Sequence, residues 1–240
     1  TSNYGVYAAG DCTDNFNLVT NRYTWVPMGS TANKEGRCAA INIAGGNCSF
    51  DGILNSTITK YFNYTISIIG ISYKEAIIHG FQPEFAIVTK RDKAGYMPDT
   101  GTVTLKLIVD KNTHNILGIQ GIGEGDVNQR INTVITAILE KTKLESFMNL
   151  DLPYSPPYSP AIDPVLNAAQ TKAFMKLANN LEKLDYEAGF GSNINIENIS
   201  FHVDSMSSVE DGEIAFNAFV NKFKEIGQQS GLRMNVARLK

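Results

Sequence analysis

The sequence is poor in the features that mark several functional classes. It has no apolar run near the roughly 20 residues that a bilayer-spanning helix requires, and no basic, apolar, small-residue leader pattern at its start. Basic charge is not in excess. The 21 Lys and Arg face 24 Asp and Glu, and a formal net charge of −3 supplies no electrostatic footprint for nucleic acid. Cysteine is scarce: Cys12, Cys38 and Cys48 form no CxxC pair and are odd in number, which argues against a disulfide framework and for a reducing cytoplasm. His79, His114 and His202 have no second ligand at metal-binding spacing, so no metal site is expected. Internal repeats and low-complexity tracts are missing too. What remains is a chain of 240 residues with 43% hydrophobic and 19% charged residues. That balance is ordinary for a globular protein, and the length allows one large domain or two smaller ones.

Several stretches carry periodic signals. Val6–Ala9 reads as a buried strand running into the sharp turn Gly10-Asp11. In "VPMGSTANKEGRCAAINIAGG", Pro27 and Gly29 break the chain, Ser30 or Thr31 can cap, residues 32–44 suit a helix, and Gly45-Gly46 stop it. "YTISIIGIS", "EFAIVTK", "TVTLKLIVD" and "HNILGIQGIG" are strand-like, with the short helix "YKEAIIHGF" between the first two and the hairpin turn "KNT" between the last two. Val127, Ile131, Val134, Ile135 and Ile138 recur at helical spacing, which predicts an amphipathic helix over 126–142 with an apolar stripe wider than one sheet can cover. This order indicates an α+β domain with helices packed on one sheet. The prolines of "DLPYSPPYSPAIDP" exclude regular structure there. A helix should follow, with Leu166, Ala169, Ala173, Phe174, Leu177, Leu181 and Leu184 on one face. Beyond a linker near 187–198, a strand, a helix over 208–227 and a last strand are expected.

Few residues offer chemistry. An aspartate at a strand's carboxyl end, beside a glycine that permits close backbone approach, can accept two hydrogen bonds from the hydroxyls of a sugar-like chain. A turn aspartate capping its own backbone is the alternative. "GIQGIGEGD" at 118–126 follows a strand and opens a helix, but its third glycine falls one residue early for a phosphate loop, so an ordinary turn is expected. Cys12 reads as a small buried apolar side chain.

The opening letters resemble a known pattern. Thr1, four residues, and then Val6-Tyr7-Ala8-Ala9-Gly10-Asp11 match the second FAD motif of the flavoprotein disulfide reductases, T-x-x-x-x-h-y-h-h-G-D. "VPMGSTANKEGRCAAINIAG" resembles the next helix of the coenzyme A-disulfide reductase and NADH oxidase branch. "DLPYSPPYSPAIDPVLNAA" resembles that branch's "AYxPPxSPxxDPxNxA" signature. The resemblance covers roughly residues 1–170. It implies the end of an FAD domain over 1–55, a dimerisation domain of sheet and helices over 60–168, and a small α/β extension of unknown role over 171–240.

The resemblance also assigns roles. Asp11 is expected to hold the ribityl chain of FAD, with Thr1 and Gly10 shaping the motif and Ser30, Thr31 and Ala32 presenting a helix N-terminus to the flavin. Tyr154 reaches a partner's flavin site in relatives, and Tyr96 matches a loop tyrosine near the same site. Both are candidate catalytic residues, with interface packing as the alternative. Asn33 stands where some relatives place a substrate-contacting histidine, and Ile162 replaces a coenzyme A-contacting lysine. The implied activity is FAD- and NAD(P)H-dependent reduction of a disulfide, persulfide or oxygen by a homodimer built around Tyr154 and Tyr158. Because the pattern begins at Thr1, the first nucleotide site, the NAD(P)H domain and the redox cysteine are not in this stretch, and the 240 residues alone are expected to be inactive. The other class of reading is a non-catalytic module that dimerises or binds a partner.

Overall fold

Alternating side chains and well-formed turns between residues 57 and 123 build one antiparallel sheet. The computed structural model describes residue 1 and residues 3–173. A short ribbon pairs β1 (Asn15–Asn17) with β2 (Arg22–Thr24), and α1 follows at Gly29–Ile43. The sheet comprises β3 (Thr57–Tyr61), β4 (Tyr64–Gly70), β5 (Pro83–Arg91), β6 (Thr102–Asp110) and β7 (Ile116–Gly123) in the order β3-β4-β7-β6-β5, every pair antiparallel. Helices α2 (Tyr73–Ile78), α3 (Val127–Leu139) and α4 (Leu144–Phe147) complete the order, and residues 164–173 are helical.

Local chemistry fixes the connections. Ser72 and Glu75 form a capping box that starts α2, and Gly80, at φ +83°, lets the chain leave it. Between β6 and β7, the Asp110 carboxylate accepts hydrogen bonds from the Thr113 N–H and hydroxyl, at 2.9 and 2.7 Å, and from the Gln82 N–H at 3.0 Å. Asp126 caps α3 by accepting from the Gln129 N–H.

The sheet's inner face sets the core. Val103, Leu105, Leu107, Ile119 and Ile69 pack against Val127, Ile131, Val134 and Ile138 of α3. Each such side chain contributes roughly 1.5–3 kcal/mol on burial. Gly121 faces α3, where a Cβ would come within 2.7 Å of Val127 Cγ1. Cβ atoms on Gly118 and Gly123 would meet backbone at 2.4 and 2.1 Å. Gly118, Gly121 and Gly123 are thus what lets strands and helix approach.

Three expectations need correction, and three strands were not expected. Residues 6–9 join no strand and are not buried: Val6 and Tyr7 are 53% and 46% exposed, since nothing described covers them. Neither β3 nor the β1–β2 ribbon was legible, because "TITKY" is exposed throughout and pairs along one edge only. Helix α1 begins at Gly29 with Met28 as N-cap and no side-chain cap, so Ser30 and Thr31 lie inside its first turn. The apolar stripe of α3 is covered within the chain, with Arg130 buried in it, while Asn128, Gln129, Asn132 and Thr136 face outward. The helix from 164 is observed as far as the description runs, with Val165, Leu166, Ala168 and Ala169 in the core. Phe174–Leu184 and the elements expected over 171–240 lie beyond residue 173.

Candidate functional site

Two clusters hold the candidate residues. In the first, Gly10 takes φ +91° and its carbonyl accepts hydrogen bonds from the Thr13 N–H (3.0 Å) and hydroxyl (2.7 Å). The Gly10 N–H donates to Glu35 Oε2 of α1 at 2.6 Å, and the Thr13 hydroxyl shares its one proton between the Gly10 carbonyl and the same carboxylate, 2.9 Å away. Glu35 is buried, so this is a charge-assisted clamp shielded from water. A Cβ on Gly10 would touch the Ala32 side chain at 3.5 Å. The Trp25 indole N–H donates to the Asp11 carbonyl at 2.8 Å. The turn is therefore seated on the first turns of α1, and the Asp11 carboxylate is left exposed. Helix α1 has no acidic residue in its first turn, and the first N–H groups of a helix, here including Ser30 and Thr31, lack intrahelical acceptors. The result is a local donor field beside one carboxylate. The Thr1 hydroxyl donates to the Val6 carbonyl (2.5 Å), with the Asn3 carbonyl at 3.1 Å, and Asn33 accepts from Arg37 on the outer face of α1.

The second cluster is organised by a buried arginine. Arg130 is 1% exposed. Its Nε donates to Asp163 Oδ2 at 3.1 Å, its Nη2 to the carbonyls of Asp92 (2.6 Å) and Tyr158 (3.0 Å), and its Nη1 to the Asp126 carbonyl (3.0 Å). Asp92, also buried, accepts from the N–H groups of Gly101 and Asp126. The Ala94 N–H donates to the Pro156 carbonyl at 3.2 Å. Asp163 accepts further from the Val165 N–H and the Ser159 hydroxyl, capping the helix that Pro164 begins. One guanidinium thus ties the 92–100 loop to the proline-rich segment. Tyr96 on the loop is 75% exposed, and Tyr154 and Tyr158 on the segment are 53% and 69% exposed. A cavity of about 120 Å3 beside Tyr154 suits a few waters rather than a cofactor. Among the described residues no hydrogen bond or ion pair joins the two clusters.

Sequence reasoning missed Glu35, Asp92, Arg130 and Asp163. Only Arg130 carried a signal, as a charged residue inside the run Val127, Ile131, Val134 of an apolar face. Two cysteine expectations also fail. Cys12 is exposed, because the segment around it lies open, and Cys38 and Cys48 are joined in a disulfide. The reversal at Gly45-Gly46 brings residue 48 back against α1, a pairing over ten positions that a search for CxxC does not reach. The cysteine argument for a reducing compartment therefore falls away. The described residues contain no cluster able to hold a metal and no helix long and apolar enough to cross a membrane.

Residues 56–165 match the family described as pyridine nucleotide-disulphide oxidoreductase, dimerisation domain. The matched stretch contains the five-stranded sheet, α3, the Arg130 network and the candidate tyrosines Tyr96, Tyr154 and Tyr158, whereas the Gly10–Asp11 turn and α1 precede it. The NAD(P)H sulfur oxidoreductase (CoA-dependent) of Pyrococcus furiosus is 32% identical over 156 residues, 65% of this chain and 35% of that protein. The NAD-dependent persulfide reductase from A. fulgidus shares the fold with a TM-score of 0.68 at 33% identity, covering 86% of this chain and 38% of that one. An FAD-dependent pyridine nucleotide-disulphide oxidoreductase from Desulfovibrio vulgaris gives 0.57 at 30% identity, over 70% of this chain and 38% of its own. The chain spans about a third of the length of the curated relatives it matches.

Proposed function

We propose that these residues form the carboxyl-terminal part of an FAD- and NAD(P)H-dependent oxidoreductase that reduces a disulfide, a persulfide or oxygen. They contribute the second half of the flavin site and the dimer contact. The observation that carries the reading is the Gly10–Asp11 turn seated on the first turns of α1 by the Glu35 clamp. Its donor set fits FAD: Asp11 would accept from ribityl hydroxyls, while the N–H groups of Ser30 and Thr31 would stabilise negative charge on the reduced ring. Bound FAD would supply the hydride relay between NAD(P)H and substrate. Thr1 fastens the segment that leads into the turn, through the Val6 carbonyl, and Ala32 is the surface on which Gly10 rests.

The tyrosines take part from the dimerisation domain. Tyr96 and Tyr154 are exposed on rigidly tied segments that nothing within the described chain joins to Asp11. This arrangement supports an isologous homodimer in which each protomer lends its tyrosines to the other's flavin site. There a phenol would donate a proton to a leaving thiolate. Asn33, exposed on α1, is the candidate substrate contact. The small thiol or disulfide is left unspecified, since Ile162 offers no charge to a phosphate.

The test is to express the longest reading frame containing these residues, read bound flavin by absorbance, and follow NADH and NADPH oxidation with coenzyme A disulfide, polysulfide or oxygen. Yellow protein that oxidises a nicotinamide supports the reading. Colourless, inactive protein from that frame overturns it and leaves a dimerising module.

A further inference from the structure

We propose that Cys38 and Cys48 form a reversible redox site, separate from the candidate flavin site, that exchanges with small disulfides. Cys38 lies buried on the inner face of α1, and Cys48 is half-buried in the exposed loop after the Gly45-Gly46 reversal. Their Cα atoms are 5.3 Å apart, within the span that a disulfide bridges.

Hydrogen bonds that do not involve sulfur hold this geometry. The Asn42 side chain grips the Cys48 backbone from both sides: its Oδ1 accepts the Cys48 N–H at 2.7 Å and its Nδ2 donates to the Cys48 carbonyl at 3.0 Å. The Gly46 N–H closes the reversal onto the Ile41 carbonyl at 2.9 Å. These contacts survive reduction, so the reduced thiols stay opposed at high effective concentration and the bond can re-form without refolding.

The unequal burial assigns an order. The Cys48 thiolate attacks one sulfur of a small disulfide RSSR, expelling RS⁻ and leaving a mixed disulfide. The Cys38 thiolate then attacks Cys48 Sγ and expels the second RS⁻. The two cysteines lose two protons and two electrons, and RSSR takes them up as two RSH. A reducing dithiol reverses the sequence. Cys12, exposed and without a cysteine partner, serves as the internal reference.

Mass spectrometry on the full chain tests this. Trypsin cleaves after Arg37 and Lys60, so both cysteines fall in one peptide. After exposure to oxidised glutathione, that peptide should be two hydrogens lighter and free of glutathione. Dithiothreitol should restore its mass, and fresh glutathione disulfide should lower it again. Cys38→Ser should trap glutathione on Cys48, whereas Cys48→Ser should leave Cys38 unmodified or at least tenfold slower to react. Asn42→Ala should reduce the equilibrium fraction of closed pair by roughly fivefold in the constant, as expected for loss of backbone-directed hydrogen bonds. Stable glutathione adducts on the native peptide, or thiols that stay unmodified while Cys12 reacts, would overturn the proposal. So would equal reactivity of the two single variants.

Discussion

At the scale of single residues, the energetically exposed point is Arg130. Its charge is fully desolvated and balanced by buried Asp163, by three carbonyls and, at 3.8 Å, by the half-exposed Asp126 carboxylate. Removing Arg130 leaves Asp163 buried without a counter-charge, a cost of about 3–5 kcal/mol. Arg130→Met should therefore destabilise by that amount in urea unfolding. Adding Asp163→Asn should cost less than the sum of the two single changes, since the pair is coupled; strict additivity would sink the hub. Asp110 makes a second prediction. Burial raises its pKa, but the hydrogen bonds from Thr113 and Gln82 and the charge of His114 outweigh this and hold it below the ordinary 3.8. A carboxylate depressed on folding contributes stability above its unfolded value, and that stability is lost as pH falls through the folded one. Asp110→Asn should cost roughly 1.5–3 kcal/mol at neutral pH, as for hydrogen bonds to a charged group. It should also flatten the loss of stability below about pH 4, read from urea midpoints across pH.

At the scale of elements, glycine decides how closely β7 can be approached. Gly118→Ala would drive a Cβ into the backbone of Ile71, which cannot yield, and should cost at least the 1–3 kcal/mol of an overpacked core. Gly36→Ala is the matched control. The position lies inside α1 with nothing within 4 Å, so the change should stabilise by roughly 0.5–1 kcal/mol through helix propensity. Thermal unfolding of the two variants should move in opposite directions. A loss in both would mean that α1 is not the helix described.

At the scale of the whole molecule, the proposed dimer is the testable unit. The residues that match the dimerisation family lie within this chain, so the proposed symmetric pair is expected from the 240 residues themselves, burying more than roughly 1,000 Å2 in total. Light scattering at micromolar concentration should give about twice the 26.3 kDa chain mass. Tyr154→Ala with Tyr158→Ala should shift the pair toward monomer on dilution, with the fold intact by circular dichroism. A native chain that stays at one chain mass would sink the dimer. If the proposed flavin site is present in a longer protein containing these residues, Asp11→Asn should lower its bound flavin per chain; unchanged flavin content would make Asp11 a turn residue only.

The periodic parts were legible in sequence because their causes are local. Alternation in "TVTLKLIVD", the turn "KNT" and the 3.6 period of Val127–Ile138 each specify an element with little help from elsewhere. The α+β class and the proline-rich segment followed from the same letters. The edge strand β3 was not legible, because pairing with β4, not burial, holds it. Nor was the fate of Val6–Ala9, since an apolar run says nothing about whether a surface is there to cover it. The buried charges were hidden for the same reason. Glu35, Asp92, Arg130 and Asp163 read as surface residues until the chain brings their partners from 22 to 38 positions away. Sequence alone determined what each segment is, because secondary structure answers to neighbours. Only the tertiary structure decided which charges are paired, which tyrosines share a rigid frame and which cysteines meet, because those depend on distances that no local pattern encodes.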